Sequence, residues 1–293
     1  MKTIYINDLD EIFNKEDLAL MLGSFDGMHL GHLKLLEELN KINLKKGLLT
    51  FYPHPLSILK NEEFSYLDLV RDKEEFLKEK LDYLIVLKTS TDLLQSSKDL
   101  FINFLKINNV KSVVCGKDYT FGSFAKGSIK DLTIFDLHIV PDFKIDDTRV
   151  SSTLIRQFLN NGDVDLASKF LGRNYFIRGL VSKGSQLGRT IGFPTANVEN
   201  TDYLLPKNGV YFGYVYIENN KYKGMINIGI NPTINLLNKR RLEVHILDFN
   251  QDIYNKEIKV EIVKKIRDET KFNSKDELIE MLKKNKEECK SLN

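Results

Sequence analysis

The stretch "LALMLGSFDGMHLGH", Leu18–His32, changes character twice within a short span of chain. Its apolar opening, "LALMLGSF", has the length and composition of a buried strand. A turn follows through Asp26-Gly27, and the spacing beyond it predicts a helix from near Met28. Strand, glycine turn and helix in immediate succession form the building unit of an α/β domain. Within the turn, "GSFDGMHLGH", Gly23–His32, also carries chemistry. His29 and His32 are three apart and share one face of the helix start. Gly31 removes a side chain between them, so a bulky group can approach the backbone. The N–H groups and positive dipole end there favour an anion, and two imidazoles add hydrogen bonds to phosphate oxygens. Two other readings stay open on residue type alone, surface or capping histidines and metal ligands. The ligands of a zinc protease sit four apart with a glutamate between, and no third ligand is apparent in the sequence.

Around this stretch the first half alternates. "LKLLEELNKINLKK" reads as an amphipathic helix with Gly47 as its stop, and "LLTFYP" as a second strand. "LDLVRDKEEFLKEK" is helical and "YLIVL" a third strand. "TDLLQSSKDLFINFLKI" reads as one helix with Thr91 as N-cap. "VKSVVCG" and "LHIVP" complete the strands. The pattern predicts a parallel sheet covered on both faces, which binds ligands beyond the carboxyl ends of its strands. "GSFDGMHLGH", "YPHP" and "GKDYTFG" each follow a strand, which argues for one composite site. "SSTLIRQFLNNGDVDLASKFL", 151–171, reads as two short helices split at Gly162.

After about residue 172 the pattern changes. "YFIRGLVSKG", "GVYFGYVYIE", "YKGMINIGI", "RRLEVHILDF" and "KEIKVEIVKKI" are short, alternating and rich in aromatic and β-branched residues. They predict an antiparallel sheet closed into a small barrel. "SKDELIEMLKKNKEECK" is a terminal helix, with Ser274 and Glu277 spaced for a capping box.

Bulk properties narrow the classes. The 293 residues exceed what one ordinary core organises, which favours two domains. With 42% hydrophobic and 29% charged residues, the composition is that of a soluble globular protein. A net charge of +2 gives no field for nucleic acid or an anionic membrane. No apolar run is long enough for a signal peptide or a membrane span. Cys115 and Cys289 are far apart, so a disulfide framework is not expected and a reducing cytoplasm is. Cys115 falls in a strand pattern and reads as a buried thiol.

In this setting the histidine turn resembles the HxGH signature of the nucleotidyltransferase superfamily, which transfers AMP from ATP and releases pyrophosphate. With "TFYPHP" (Thr50–Pro55), "GKDYTFG" (Gly116–Gly122) and "SSTLIR" (Ser151–Arg156), it resembles the adenylyltransferase module of bacterial bifunctional riboflavin kinase/FAD synthetases. The resemblance implies a Rossmann-like domain with a parallel sheet. It implies that His29 and His32 are catalytic on the ATP phosphates, with Gly23, Ser24, Phe25 and Asp26 around the nucleotide. Ser152, Thr153 and Arg156 would grip phosphate at a second helix start. His54, Asp118 and Phe121 would contact the flavin. The chain departs from its relatives at Thr120 and Ala125, which stand where arginines are frequent. That departure bears on the strength of FMN phosphate binding and leaves the reaction class unchanged.

The second half has its own dense stretch, "GSQLGRTIGFPTANV", Gly184–Val198. Gly184, Gly188 and Gly192 allow a tight, close-approaching loop. Thr195 and Asn197 occupy alternate positions facing one side, and two neutral oxygen donors suit Mg²⁺ or phosphate better than zinc. A glycine-rich hairpin with surface polar residues is the plainer alternative. The stretch resembles the riboflavin kinase signature, whose threonine and asparagine bind ATP phosphate and Mg²⁺. "GVYFGYV", "MINIGINPT", "LEVHILDF" and "IRDETKF" continue the likeness. It implies Glu243 as general base for the ribityl 5′-hydroxyl and Arg267 on a loop near flavin or nucleotide. An ion pair of Arg267 with Asp268 or Glu269 is the alternative, and "NKRR", 238–241, reads as a solvated turn. The whole is expected to be an adenylyltransferase domain over 1–172 and a riboflavin kinase domain over 173–293. The small molecules expected are riboflavin, FMN, FAD, ATP and Mg²⁺, with no nucleic acid or membrane and a monomer or weak homo-oligomer. A relative with one decayed site and a flavin- or RNA-binding regulator are the competing readings.

Overall fold

The computed structural model describes residues 1–184, 187–199, 202–230 and 240–292. The chain divides into two compact units, Met1–Ser152 and Thr153–Asn293. The expected ends of "MINIGINPT" and "NKRR" at 231–239, and Ser185 and Gln186 of the glycine-rich stretch, lie outside the described residues.

In the first unit the order is β1 (Lys2–Ile6), β2 (Leu18–Leu22), α1 (Leu30–Asn40), β3 (Lys45–Tyr52), α2 (Pro55–Lys60), α3 (Val70–Leu77) and β4 (Tyr83–Lys88). Then come α4 (Thr91–Gln95), α5 (Lys98–Ile107), β5 (Val110–Gly116), β6 (Thr120–Phe121), β7 (Gly127–Ser128), β8 (Asp136–Val140), β9 (Lys144–Ile145) and β10 (Thr148–Arg149). Six strands form one parallel sheet in the order β1-β4-β3-β2-β5-β8. Every residue of β2 is buried. Leu18, Leu20 and Leu22 enter one apolar cluster, Ala19 and Met21 the other, so both faces are covered as the alternation requires. The carboxyl ends of β3, β2 and β5 are neighbours, and from them leave the "YPHP", histidine and "GKDYTFG" segments.

Three local expectations are corrected, and one strand is added. The α1 helix starts at Leu30 rather than Met28, because Met28 has a positive φ (36°) and His29 is the extended N-cap. Gly47 is not a helix stop but lies inside β3. A Cβ there would come 2.9 Å from Leu20 Cδ1 and 3.1 Å from Ile85 Cδ1, side chains of the two flanking strands. The 91–107 helix is broken at Ser96-Ser97, with Ser90 rather than Thr91 capping its first part and Ser97 its second. The edge strand β1 in "KTIYI" was not expected, being short and half-exposed.

In the second unit, α6 (Ser152–Asn161, its first residue counted with the first unit) and α7 (Val164–Leu171) are separated at Gly162 as expected. They are followed by β11 (Tyr175–Ser182), α8 (Leu187–Thr190), β12 (Ala196–Glu199), β13 (Gly209–Ile217), β14 (Asn220–Ile230), β15 (Arg240–Ile246), β16 (Glu257–Asp268) and α9 (Lys275–Ser291). Six antiparallel strands close a barrel in the order β11-β12-β15-β14-β13-β16. The sixth strand, β12, is the "ANVE" end of the glycine-rich stretch, read from sequence only as a loop with polar alternation. Inward positions are apolar: Ala196, Val198, Val244 and Ile226 are buried, and the first three alternate with polar neighbours. Ile279, Leu282 and Cys289 of α9 cover the outer side chains Val210, Phe212 and Met225. Ser274 caps α9, accepting from Glu277 N (3.2 Å), while the Glu277 carboxylate accepts from Asn273 N (2.9 Å). Cys115 and Cys289 are free buried thiols, pushed by burial up to about 11 and about 12. Among the described residues no helix is long and apolar enough to cross a membrane.

Candidate active sites

The first site is built on the turn between β2 and α1. Phe25 takes a positive φ (50°), turns its ring inward and meets His32 edge-on at 5.0 Å. His29 is almost fully buried, and its Nδ1 accepts from His32 N (3.2 Å) as the helix cap. A neutral ring that accepts at Nδ1 carries its proton on Nε2. The two imidazoles stack, 3.6 Å between centroids and 12° between planes. A Cβ at Gly31 would lie 3.1–3.2 Å from the His29 ring, so the bulky neighbour that Gly31 admits is that ring itself. Among the described residues no third His, Cys, Asp or Glu joins the pair as a metal cluster. Cap and anion cradle are compatible, since only one nitrogen of the His29 ring fixes the helix start.

The residues around the turn hold its shape. Asp26 is buried, its Oδ1 accepts from Leu67 N (2.9 Å), and its carbonyl accepts from Ser152 Oγ (2.7 Å). Thr50 Oγ1 donates to Ser24 O (2.7 Å), and Gly23 N donates to Leu49 O (3.4 Å). His54 caps α2, accepting from Leu56 N (3.2 Å), and stacks on Phe64 at 4.0 Å. Asp118 is exposed and bonded to Arg149 Nη2 (2.5 Å); Arg149 also reaches Asp142 (3.1 Å), which pairs with Lys117. Phe121 sits in the core, 5.1 Å from Phe101, while Thr120 and Ala125 are exposed. Thr153 and Arg156 lie on the first turns of α6, counted with the second unit.

The second site follows from barrel register. Asn197 on β12 pairs with Glu243 on β15, Glu243 with Asn227 on β14, Asn227 with Val210 on β13, and Val210 with Arg267 on β16. Directly opposed residues of an antiparallel pair project to the same face. The row Asn197–Glu243–Asn227–Val210–Arg267 therefore runs along the outside of the barrel at one level. Arg267 is thus on a strand, not a loop. Its Nη1 donates to Asp268 O (3.0 Å), its guanidinium lies over Phe272, and Asp268 pairs instead with Lys265 (2.7 Å). Burial lowers the Arg267 pKa. Burial also raises the Glu243 carboxyl, partly offset by Arg241. A Cβ at Gly184 would fall 2.0 Å from Asn197 Nδ2, and one at Gly188 would fall 2.3 Å from Phe193 O and 3.5 Å from Thr195 Oγ1. Gly192 has φ +84° and closes the turn, with Phe193 N donating to Gly188 O (2.8 Å). Beside Thr195, a cavity of about 370 Å³ is walled by Val181, Arg189, Pro194, Ile246, Phe249 and Tyr254.

Two family models match, riboflavin kinase over residues 171–293 and FAD synthetase over 12–154. The bifunctional riboflavin kinase/FMN adenylyltransferase of Bacillus subtilis is 39% identical, with 99% of this chain and 97% of that protein covered. The chain belongs to the bifunctional riboflavin kinase/FMN adenylyltransferase family. The Escherichia coli member is 36% identical over 90% of this chain and 89% of its own. A crystal structure from Streptococcus pneumoniae, described as a macrolide-efflux protein, is 36% identical with a TM-score of 0.91, covering 99% of both chains. Both halves of the chain thus carry an ATP-using family domain. Sequence reasoning missed Asn227, Arg149 and Thr50 as members of these sites. Asn227 is signalled only by register, Arg149 by its partners and Thr50 by a single backbone bond.

Proposed function

We propose that this chain makes FAD from riboflavin in two ATP-dependent steps, phosphorylation in residues 173–293 and adenylyl transfer in residues 1–172. The observation that carries the reading is the register row that sets Glu243 directly across from Asn197. Glu243 accepts the proton of the riboflavin 5′-hydroxyl as its oxygen attacks the ATP γ-phosphorus and ADP leaves. Its raised pKa makes it a stronger base than an ordinary glutamate. Asn227 flanks the same carboxylate from β14, and Arg267 closes the row on the flavin or nucleotide side. Thr195 and Asn197 carry hard oxygen donors, and Gly184 and Gly188 let the turn pack directly against them, so the pair fits Mg²⁺. When bound, Mg²⁺ supplies charge neutralisation on the ATP phosphates. The cavity beside Thr195 has the size and mixed lining of a nucleoside pocket.

In the second step a phosphate oxygen of FMN attacks the α-phosphorus of ATP, and pyrophosphate leaves. Catalysis here is positioning and electrostatic stabilisation. His29 and His32 donate to the phosphates at the start of α1, over the Gly23-Ser24-Phe25 backbone. Ser152, Thr153 and Arg156 contribute from the first turns of α6. Asp26, with both its groups engaged internally, holds the turn in shape. His54, Asp118 and Phe121 serve the flavin, Phe121 as the buried support of the "GKDYTFG" segment. The protein works in the cytoplasm as a monomer or weak homo-oligomer. Incubating the full chain with riboflavin, ATP and Mg²⁺ and separating the flavins gives FMN, then FAD, with ADP and pyrophosphate released. Appearance of neither flavin product overturns the reading.

A further inference from the structure

His245 lies two residues beyond Glu243 on β15, opposite Met225 in the next outward row of the barrel. It is buried, 5% exposed, and its Nδ1 is 2.8 Å from the carbonyl oxygen of Pro194. A carbonyl only accepts, so Nδ1 carries the proton. Nε2 is then the bare nitrogen, and it is buried with no hydrogen-bond partner among the described residues. The Phe193 ring meets the imidazole edge-on at 5.4 Å. One imidazole therefore holds both residues that precede Thr195.

The Phe193 ring is fixed by packing with Val210, Phe212 and Met225, which leaves the Pro194 peptide as the next point to be held. Gly188–Phe193 is a closed turn, with Ile191 N and Phe193 N both donating to Gly188 O. Pro194 has no N–H, so its carbonyl is the one backbone group by which it can be fixed. Thr195 follows, and Ala196 begins β12 opposite Val244. The direction in which Thr195 leaves the turn follows the Pro194 peptide plane, and the His245 Nδ1–H bond to the Pro194 carbonyl holds that plane. Burying a ring with a bare nitrogen costs free energy that an apolar side chain would avoid, which suits a residue kept for its other nitrogen.

We propose that His245 is a positioning residue for phosphoryl transfer, its Nδ1–H aligning Pro194 so that Thr195 Oγ1 meets the ATP phosphates. The inference rests on the kinase reading of Thr195, Asn197 and Glu243. Its effect belongs in kcat and in the KM for ATP, not in the KM for riboflavin. The test uses the full chain as wild type, His245→Leu, His245→Asn and His245→Gln. Riboflavin phosphorylation is measured across ATP and riboflavin concentrations, with FMN adenylylation followed on the same preparations. Loss of an outer partner that orients a ligand-binding group costs roughly 10–100-fold in activity or affinity. His245→Leu is expected to lose that much in kcat/KM for ATP, with its KM for riboflavin and its adenylylation unchanged. Asparagine places its amide N–H where Nδ1 stands and restores most of the rate. Glutamine carries the same amide one carbon further out and does not. Equal rates for the asparagine and glutamine variants, or an unimpaired leucine variant, overturn the proposal while the kinase reading stands. A wild type that makes no FMN overturns both.

Discussion

The two sites solve different chemical problems, and their acid–base surroundings differ accordingly. At the histidine turn the nucleophile of the proposed step is a phosphate, largely dianionic at neutral pH because its second pKa is near 6. No base is needed there, and the buried Asp26 carboxylate accepts from Leu67 N beside the imidazoles and the helix start. At the barrel row the nucleophile is an alcohol that must lose a proton. There a carboxylate stands in the row, half-desolvated and flanked by two amides, with its pKa raised. On the proposed reading, what separates the two sites is one poorly solvated acid in the barrel row.

Breaking that difference gives the largest expected effect. Glu243→Gln removes the base and should lower the riboflavin phosphorylation rate by about 10²–10⁴-fold, read as FMN formed per minute. The same change should not cost stability. A carboxyl whose folded pKa is raised stabilises the fold below its unfolded value and loses that contribution as pH rises through the folded value. Above its folded pKa the ionised Glu243 is therefore a burden, and there the glutamine variant should melt at the wild-type temperature or above it.

Next comes the geometry of the histidine stack. Gly31→Ala drives a methyl to within 3.1 Å of the His29 ring, and a displaced reacting group costs on the order of 10–100-fold. FAD formation from supplied FMN should fall by that factor while FMN formation holds; an unaffected rate would show that the stack is not required. The pH profiles sharpen the same contrast. Phosphorylation should lose activity on the acid side as Glu243 takes up its proton, at a pH above the ordinary glutamate range. Adenylyl transfer should lack that limb, and coincident acid limbs for the two reactions would argue for a shared cause. The smallest effect concerns the fold alone. Gly47→Ala overpacks the sheet against Leu20 and Ile85, which costs about 1–3 kcal/mol and appears as a lower midpoint in urea with both activities intact at low temperature.

Much of this was readable in the sequence wherever one physical signal dominated. The β2 run, the helix split at Gly162 and the five longer barrel strands follow from burial and alternation. Gly47 misled because a glycine after an amphipathic run can mark either a helix end or a close strand contact, and only the flanking Leu20 and Ile85 decide. β12 was hidden because its four residues sit behind a glycine-rich turn that has no alternation. The place of the histidine pair at a helix start was legible, yet the role of Gly31 was not, since the ring it admits comes from its own segment. Asn227, Arg267 and His245 owe their places to cross-strand register, which depends on pairing partners far along the chain.

The central claim is that two chemically distinct sites work in one chain, and a crossed assay tests it most directly. His29→Ala and Glu243→Gln proteins are each given riboflavin in one vessel and FMN in another, with ATP and Mg²⁺, and the flavins are separated. The account predicts that His29→Ala turns riboflavin into FMN but makes no FAD. It predicts that Glu243→Gln leaves riboflavin untouched but converts supplied FMN into FAD. Loss of both conversions in either folded variant would contradict it.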